Sequence, residues 1–142
     1  TYYRNSAGVF CVFDVTKRQT ISNLKKLATD IEDVSPGAVI VFVGNKMDML
    51  PKTQDPRMLS EIQEIHRNIE IVNEYAAVNG HKLTTVSSKT NTNIRGMLGL
   101  MVETIYTNTI QDRIIRNNNT KGIILVNCEN NVAVEKKPCC KP

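Results

Sequence analysis

Residues Ala38 to Val43 form an unbroken apolar run of six, closed by Pro36-Gly37 on one side and Gly44 on the other. A run of that length between turn residues predicts a strand buried on both faces. Gly8 to Phe13 is apolar throughout and predicts a second such strand. Between the two, Ile21, Leu24, Ala28 and Ile31 recur at intervals of three, four and three, which marks one face of a helix. Thr20 is its expected N-cap, and Ser35-Pro36-Gly37 breaks the pattern. Strand, helix and strand at this spacing predict a βαβ unit, hence a parallel pair with a right-handed crossover.

Further along, Met58, Ile62, Ile65, Ile69, Val72 and Ala76 step by four, three, four, three and four. They predict one amphipathic helix to about Asn79, or two helices broken near Asn68. Asp55-Pro56 supplies a start and Gly80 a stop. Lys82 to Val86 predicts a third strand, short and polar enough for a sheet edge. Ile94, Met97, Leu98, Met101, Val102 and Ile105 then mark a helical stripe. Asn91, Thr92 and Asn93 are its cap candidates, and the helix is expected to fray towards Arg116. Met97 and Met101 read as core filler rather than a cofactor box. Asn117 to Thr120 is a polar, linker-like run, and no helical period follows it.

Composition narrows the class without changing this picture. The chain has 142 residues, enough for one domain with a real core. Its 41% hydrophobic and 23% charged content is ordinary for a soluble globular protein. No apolar run approaches the roughly 18 residues of a membrane helix. The N-terminus carries no secretory signal, and Thr1 is not an initiator Met, so the chain reads as cut, processed or incomplete. The net charge of +4 is scattered rather than clustered, which argues against nucleic acid as a partner. Cys11 lies inside an apolar run and reads as a buried thiol. Cys128, Cys139 and Cys140 form no Cys-x-x-Cys with it, so neither a zinc site nor a disulfide framework is expected, and a reducing cytosol fits best.

The candidate chemistry sits where the strands end. Gly44, Asn45, Lys46 and Asp48 follow the first run described, and ligands of open α/β sheets bind beyond the carboxyl ends of the strands. A carboxylate there can accept two hydrogen bonds from a donor pair such as the ring N–H and exocyclic amine of guanine. Asn45 can donate and accept, and the stem of Lys46 can lie flat on a base. An isolated Asn-Lys-x-Asp is equally an ordinary strand-end turn. A second polar element, Ser87-Ser88-Lys89, follows the short apolar run Leu83 to Val86, and two neighbouring strand-end loops can close on one ligand.

Asn45-Lys46-Met47-Asp48 together with Ser87-Ser88-Lys89 resembles the guanine-recognition motifs of the Ras-like small GTPases. Thr1-Tyr2-Tyr3-Arg4-Asn5-Ser6-Ala7-Gly8 looks like the Tyr-Tyr-Arg segment of the Rab branch, and Pro138-Cys139-Cys140-Lys141-Pro142 looks like a Rab double-cysteine tail. The resemblance implies a partial Ras-like (P-loop NTPase) α/β fold with three parallel strands and flanking helices. It places a GTPase-domain portion at 1–116, with an insertion at 49–67 longer than the usual Rab loop, and a flexible tail at 117–142. It implies that Asp48 takes the two amine hydrogens of guanine, that Asn45 contacts the base and ties the two loops, and that Lys46 and Lys89 sandwich the base. By the same likeness the Ser88 N–H donates to the guanine carbonyl and Ser87 braces Asp48. Thr85-Val86 stands where the family often has Glu-Thr, and Ser88 stands where it usually has Ala.

The seven glycines, at 8, 37, 44, 80, 96, 99 and 122, form no Gly-x-x-x-x-Gly-Lys-Ser/Thr loop. No switch threonine and no Asp-x-x-Gly precedes Tyr2, so the Mg²⁺ ligands and the groups that orient the attacking water are absent from these residues. The resemblance therefore implies GTP or GDP as ligand, with Mg²⁺ belonging to the intact protein and no hydrolysis by this chain alone. The strands implied to lie beside Gly8–Phe13 are absent as well, which leaves that strand as an open, aggregation-prone edge.

Cys139 and Cys140 fit the Rab pattern in which both cysteines receive geranylgeranyl chains. The Lys141-Pro142 ending fits a Cys-a-a-X box badly. Two chains anchor stably, and Lys136 and Lys137 add a weak pull towards acidic lipid. Ile123 to Val126 is either a stray strand or a grip for escort proteins. The implied partners are guanine nucleotide, membrane, escort and GDP-dissociation-inhibitor proteins, exchange factors and effectors. The implied place is the cytoplasmic face of intracellular membranes, with a cytosolic pool, and the implied process is vesicle traffic. The competing reading is a membrane-anchored interaction module without nucleotide chemistry.

Overall fold

The computed structural model describes residues 3–50 and 58–119, the side chains of 113–119 excepted. The chain divides into two units, Thr1–Thr109 and Ile110–Pro142, and the sheet and the candidate site lie wholly in the first. Among the described residues there is one three-stranded sheet: β1 (Gly8–Asp14), β2 (Val39–Asn45) and β3 (Lys82–Thr85), in the order β1-β2-β3. Both pairs are parallel, with Gly8 opposite Val39 and Val41 opposite Lys82. Three helices accompany the strands: α1 (Gln19–Val34), α2 (Leu59–Val78) and α3 (Ile94–Asn119). This is the α/β arrangement of parallel strands and flanking helices that the apolar runs predict.

The period-two geometry of β2 divides the core into two layers. Ile40 and Phe42 join Cys11, Phe13 and Val15 against α1 and α2, where Ile21, Leu24, Ala28, Ile31, Ile65, Val72 and Ala76 are buried. Val39, Val41 and Val43 join Val86 and Met101 on the opposite face, under α3. A strand covered on both sides has no polar face to offer, hence the unbroken apolar run. Phe42 is fully buried, with its ring 5.8 Å from Tyr75 and 5.4 Å from His81.

Several expectations change in detail. Arg18, not Thr20, occupies the N-cap position of α1. Thr20 sits inside the first turn, and its hydroxyl donates to Lys17 O at 2.6 Å and to Asp14 O at 3.2 Å. A short hydroxyl near open carbonyls satisfies them as readily as it caps an N–H. Between the two alternatives for the third amphipathic stretch, α2 is one unbroken helix. It ends at Val78, followed by Gly80 with φ +71°, the left-handed stop that glycine permits. Within the 49–67 stretch, Leu59 to Arg67 form the first turns of α2 and Ile65 is buried. Asp55-Pro56 lies outside the described residues.

The stripe on α3 is narrower than its spacing predicts. Met101 is buried and Ile94, Met97 and Ile105 pack beside it, but Leu98 and Val102 are 51% and 67% exposed. The two lie on the flank of the sheet-facing surface, and three strands do not reach that far. Asn93, at φ +59° and just before α3, donates its amide NH₂ to Thr85 O at 2.9 Å and Thr84 Oγ1 at 3.2 Å, which ties the start of α3 to β3.

Among the described residues β1 pairs on one side only, and Val12 near its end is 59% exposed. An unpaired apolar edge is a template for another strand. The 142-residue chain is expected to self-associate as concentration rises in sedimentation velocity. A single monomeric species across the range would contradict this.

Candidate functional site

The site is built from the two turns that leave β2 and β3. Gly44 is the last buried residue of β2. A Cβ there would stand 2.9 Å from Val15 Cγ1 and 3.1 Å from Phe13 Cζ, so only glycine lets the strand leave the core at this point. Its carbonyl accepts the Val86 N–H at 2.8 Å, and Met47 N–H donates to Val86 O at 3.2 Å. The two turns are thus hydrogen-bonded backbone to backbone before any side chain takes part.

Lys46 adopts the left-handed region, φ +72° and ψ +35°. Among the described residues the other non-glycine positions with positive φ are all Asn, which tolerates it. A lysine held there stores of the order of 1–3 kcal/mol of strain, a feature that clusters at functional turns. The strain is held by the short 3-10 helix Met47–Met49 that follows, with Met47 and Leu50 packed on the α1/α2 side of the core. That packing fixes Asp48 between them.

The side chains then interlock. Asn45 Oδ1 accepts from Lys46 N at 2.8 Å and from Ser88 N and Oγ at 3.1 Å each. Two backbone donors on one oxygen fix which way the amide faces, so Nδ2 points away from them. Ser87 is 1% exposed and donates its hydroxyl to Asp48 Oδ1 at 2.6 Å. Its backbone forms an isolated antiparallel bridge with Thr92, which sets the Ser87-Ser88-Lys89 turn. Lys89 Nζ stands 3.8 Å from Asp48 Oδ2, with its side chain 80% exposed. Lys46 Nζ does not reach Asp48; it pairs at 2.7 Å with Asp14 Oδ2 at the end of β1.

All six residues singled out from the sequence, Asn45, Lys46, Asp48, Ser87, Ser88 and Lys89, therefore meet at one end of the sheet. The Ser88 N–H is already given to Asn45 in this arrangement, so a carbonyl ligand would have to share or displace that bond. Asp14 is the member that spacing alone did not single out. Its signal is the Asp-x-Thr at a strand end, an Asx turn. Here Oδ1 accepts from Thr16 N at 3.0 Å and Thr16 Oγ1 at 2.7 Å. Cys139 and Cys140 lie outside the described residues.

The electrostatics favour two ionised carboxylates. The Ser87 hydroxyl holds the Asp48 carboxyl below its ordinary value, against a smaller opposing effect of burial, with help from its own N–H and the charges of Lys89 and Lys46. For Asp14 burial acts against ionisation, but hydrogen bonds from Lys46 and Thr16 and the Lys46 charge outweigh it. A lowered carboxyl stabilises the fold above its ordinary range, and that contribution is lost as pH falls through the lowered value. Thermal melts are therefore expected to show Asp14→Asn less stable than wild type at neutral pH, the two converging below about pH 4. Parallel curves across that range would contradict the assignment.

A carboxylate with one oxygen braced and the other open, beside an amide and two long stems, suits a flat ligand carrying adjacent N–H donors. Among the described residues no group of three or more His, Cys, Asp or Glu side chains is placed to hold a metal ion. No helix among them is long and apolar enough to cross a membrane.

The chain has relatives among known proteins. The family model described as "Ras family" matches residues 1–107. A Ras-related protein RABA6a of Arabidopsis thaliana is 40% identical over 50 residues, 34% of this chain and 22% of that protein. Ras-related protein Rab-4 of Dictyostelium discoideum is 42% identical over 50 residues, 34% of this chain and 24% of that protein. Ras-related protein RabC of the same organism is 27% identical over 141 residues, 99% of this chain and 62% of its own length. The chain thus spans about a quarter to somewhat under two thirds of the relatives it matches. With a family model covering 107 of 142 residues, the chain belongs to the Ras family of small GTPases.

Proposed function

We propose that these residues are the guanine-reading portion of a Rab-like GTPase that acts in vesicle traffic. The observation that carries the reading is the interlock of Asp48 with Ser87 and of Asn45 with Ser88, which joins two strand-end turns into one site. Asp48 accepts the two amine hydrogens of guanine and leaves adenine, which lacks that donor pair, unrewarded. Asn45 contributes Nδ2 to the base edge. Lys46 and Lys89 cover its two faces, and the Ser88 N–H serves its carbonyl.

Ras-family GTPases bind GTP or GDP with Mg²⁺. The described residues do not fit the ion, and none is assigned to it. The sequence also holds no phosphate-cradling glycine loop. The 142 residues by themselves therefore bind guanine without hydrolysing GTP. The helix α3 continues to Asn119, past the boundary at 117 expected from the sequence, and the residues that follow, outside the described structure, carry Cys139 and Cys140 near the end of the chain. Geranylgeranyl chains on both would hold the protein on the cytoplasmic face of an internal membrane. Escort proteins, exchange factors and effectors are its proposed partners.

Titration of the chain with fluorescently labelled GDP, with labelled ADP as control, tests the base site. Saturable binding of GDP alone is expected, with phosphate release from GTP no faster than in a protein-free blank. Equal binding of both nucleotides would contradict the reading of the site. Release abolished by Asp48→Ala would contradict the absence of hydrolysis.

A further inference from the structure

We propose that Asp14 is a positioning residue for the base-reading turn, restraining Lys46 across the site and away from Asp48. The inference rests on the guanine reading given above and adds a residue to it. Asp14 ends β1 directly opposite Asn45 in the parallel register. Val15 N–H donates to Asn45 O at 3.2 Å, so the two strand ends are locked side by side. Lys46 leaves β2 in a left-handed conformation, and its ammonium turns back to Asp14 Oδ2 at 2.7 Å. Its stem therefore runs from the β2 turn to the end of β1 and is half exposed, an apolar strip over the strand ends.

Two lysines compete for one functional carboxylate. Asp48 must present an open oxygen to a ligand, yet Lys89 stands 3.8 Å from it and Lys46 acts on it through its charge. Asp14 removes one of the two. It is suited to do so, because its side chain is only 12% exposed and Thr16 fixes its other oxygen. An anchored carboxylate holds an ammonium better than a mobile surface one.

Asp14→Asn isolates this role. The amide oxygen still accepts both Thr16 bonds, but its NH₂ group faces the ammonium and expels it. The other carboxylate that Lys46 acts on, through its charge, is Asp48, two residues along the same turn. The Asp48 side-chain carboxyl, followed by carbon NMR against pH in the full chain, is expected to titrate lower in Asp14→Asn than in wild type. Guanosine, titrated by amide NMR, is expected to bind about five-fold more weakly, an effect within the usual coupling of residues in contact. The melting temperature at neutral pH falls by only a few degrees, the loss expected of the lowered Asp14 carboxyl, so the fold is kept. In a Lys46→Met background Asp14→Asn is expected to change neither the Asp48 titration nor the affinity.

An unchanged Asp48 titration in Asp14→Asn would overturn the restraint of Lys46. A loss of guanosine affinity equally large in the Lys46→Met background would overturn the route through Lys46. A wild-type chain that leaves guanosine unbound would instead contradict the guanine reading, and with it Asp14's part in base recognition. The Asp48 titration would still decide whether Asp14 holds Lys46.

Discussion

Asp48→Ala is expected to cost roughly tenfold to a hundredfold in affinity for GDP while leaving the residual binding no longer selective over ADP. On the proposed reading the Asp48 carboxylate takes both N–H donors of guanine, and its ionised state is favoured by the Ser87 hydroxyl. Removing it leaves the base two unpaired N–H groups and leaves Ser87 without its acceptor. Ser87→Ala is the milder companion: Asp48 stays but loses its brace, and affinity falls less. The pair of variants separates recognition from support. The check is the ratio of GDP to ADP affinity for each protein, with thermal melts alongside to show that both still fold. A selectivity ratio equal to that of wild type in Asp48→Ala would place guanine recognition elsewhere.

Phe42→Ala is expected to destabilise the first unit by about 3–5 kcal/mol. Phe42 is fully buried in the central strand and joins the sheet to α2 through Tyr75 and to the start of β3 through His81. The void would open in the core layer shared with Ile31, Ile40 and Val72, which is close-packed and cannot collapse inwards cheaply. A native domain has only about 5–15 kcal/mol in hand. The loss lowers the melting temperature by more than about 10 °C, at roughly 4 °C or more per kcal/mol for a unit of this size. Val12→Ala, on the exposed side of β1, is the control and changes little. A Phe42→Ala melt within a few degrees of wild type would mean that this layer is not the core.

Much of this architecture is legible in the chain because its strands are buried on both faces. Ala38 to Val43 has no alternation to misread, and helix spacing at 21–31 and 58–76 places buried residues where Ile21, Leu24, Ala28, Ile31, Ile65, Val72 and Ala76 are found. The α3 stripe is less legible. Leu98 and Val102 have helical spacing, but exposure depends on how many strands lie beneath, and periodicity carries no sheet width. Thr20 shows the limit at helix ends, where a hydroxyl chooses between a cap and nearby carbonyls on geometry alone.

At the site, residue types and strand ends locate the two turns, but not the hydrogen bonds between them. That Asn45 Oδ1 takes the Ser88 N–H depends on adjacent parallel strands in one register. The pairing of Lys46 with Asp14 is more remote still. It joins residues 32 positions apart and requires a left-handed lysine, which no propensity favours.

The most direct test of the account is an amide NMR titration of the 142-residue chain with guanosine and, separately, adenosine. The account predicts that guanosine shifts the amides of Asn45, Asp48, Ser88 and Lys89 together, along one saturable curve, and that adenosine at the same concentrations does not. Shifts of equal size with both nucleosides, or shifts confined to residues away from the two turns, would contradict it.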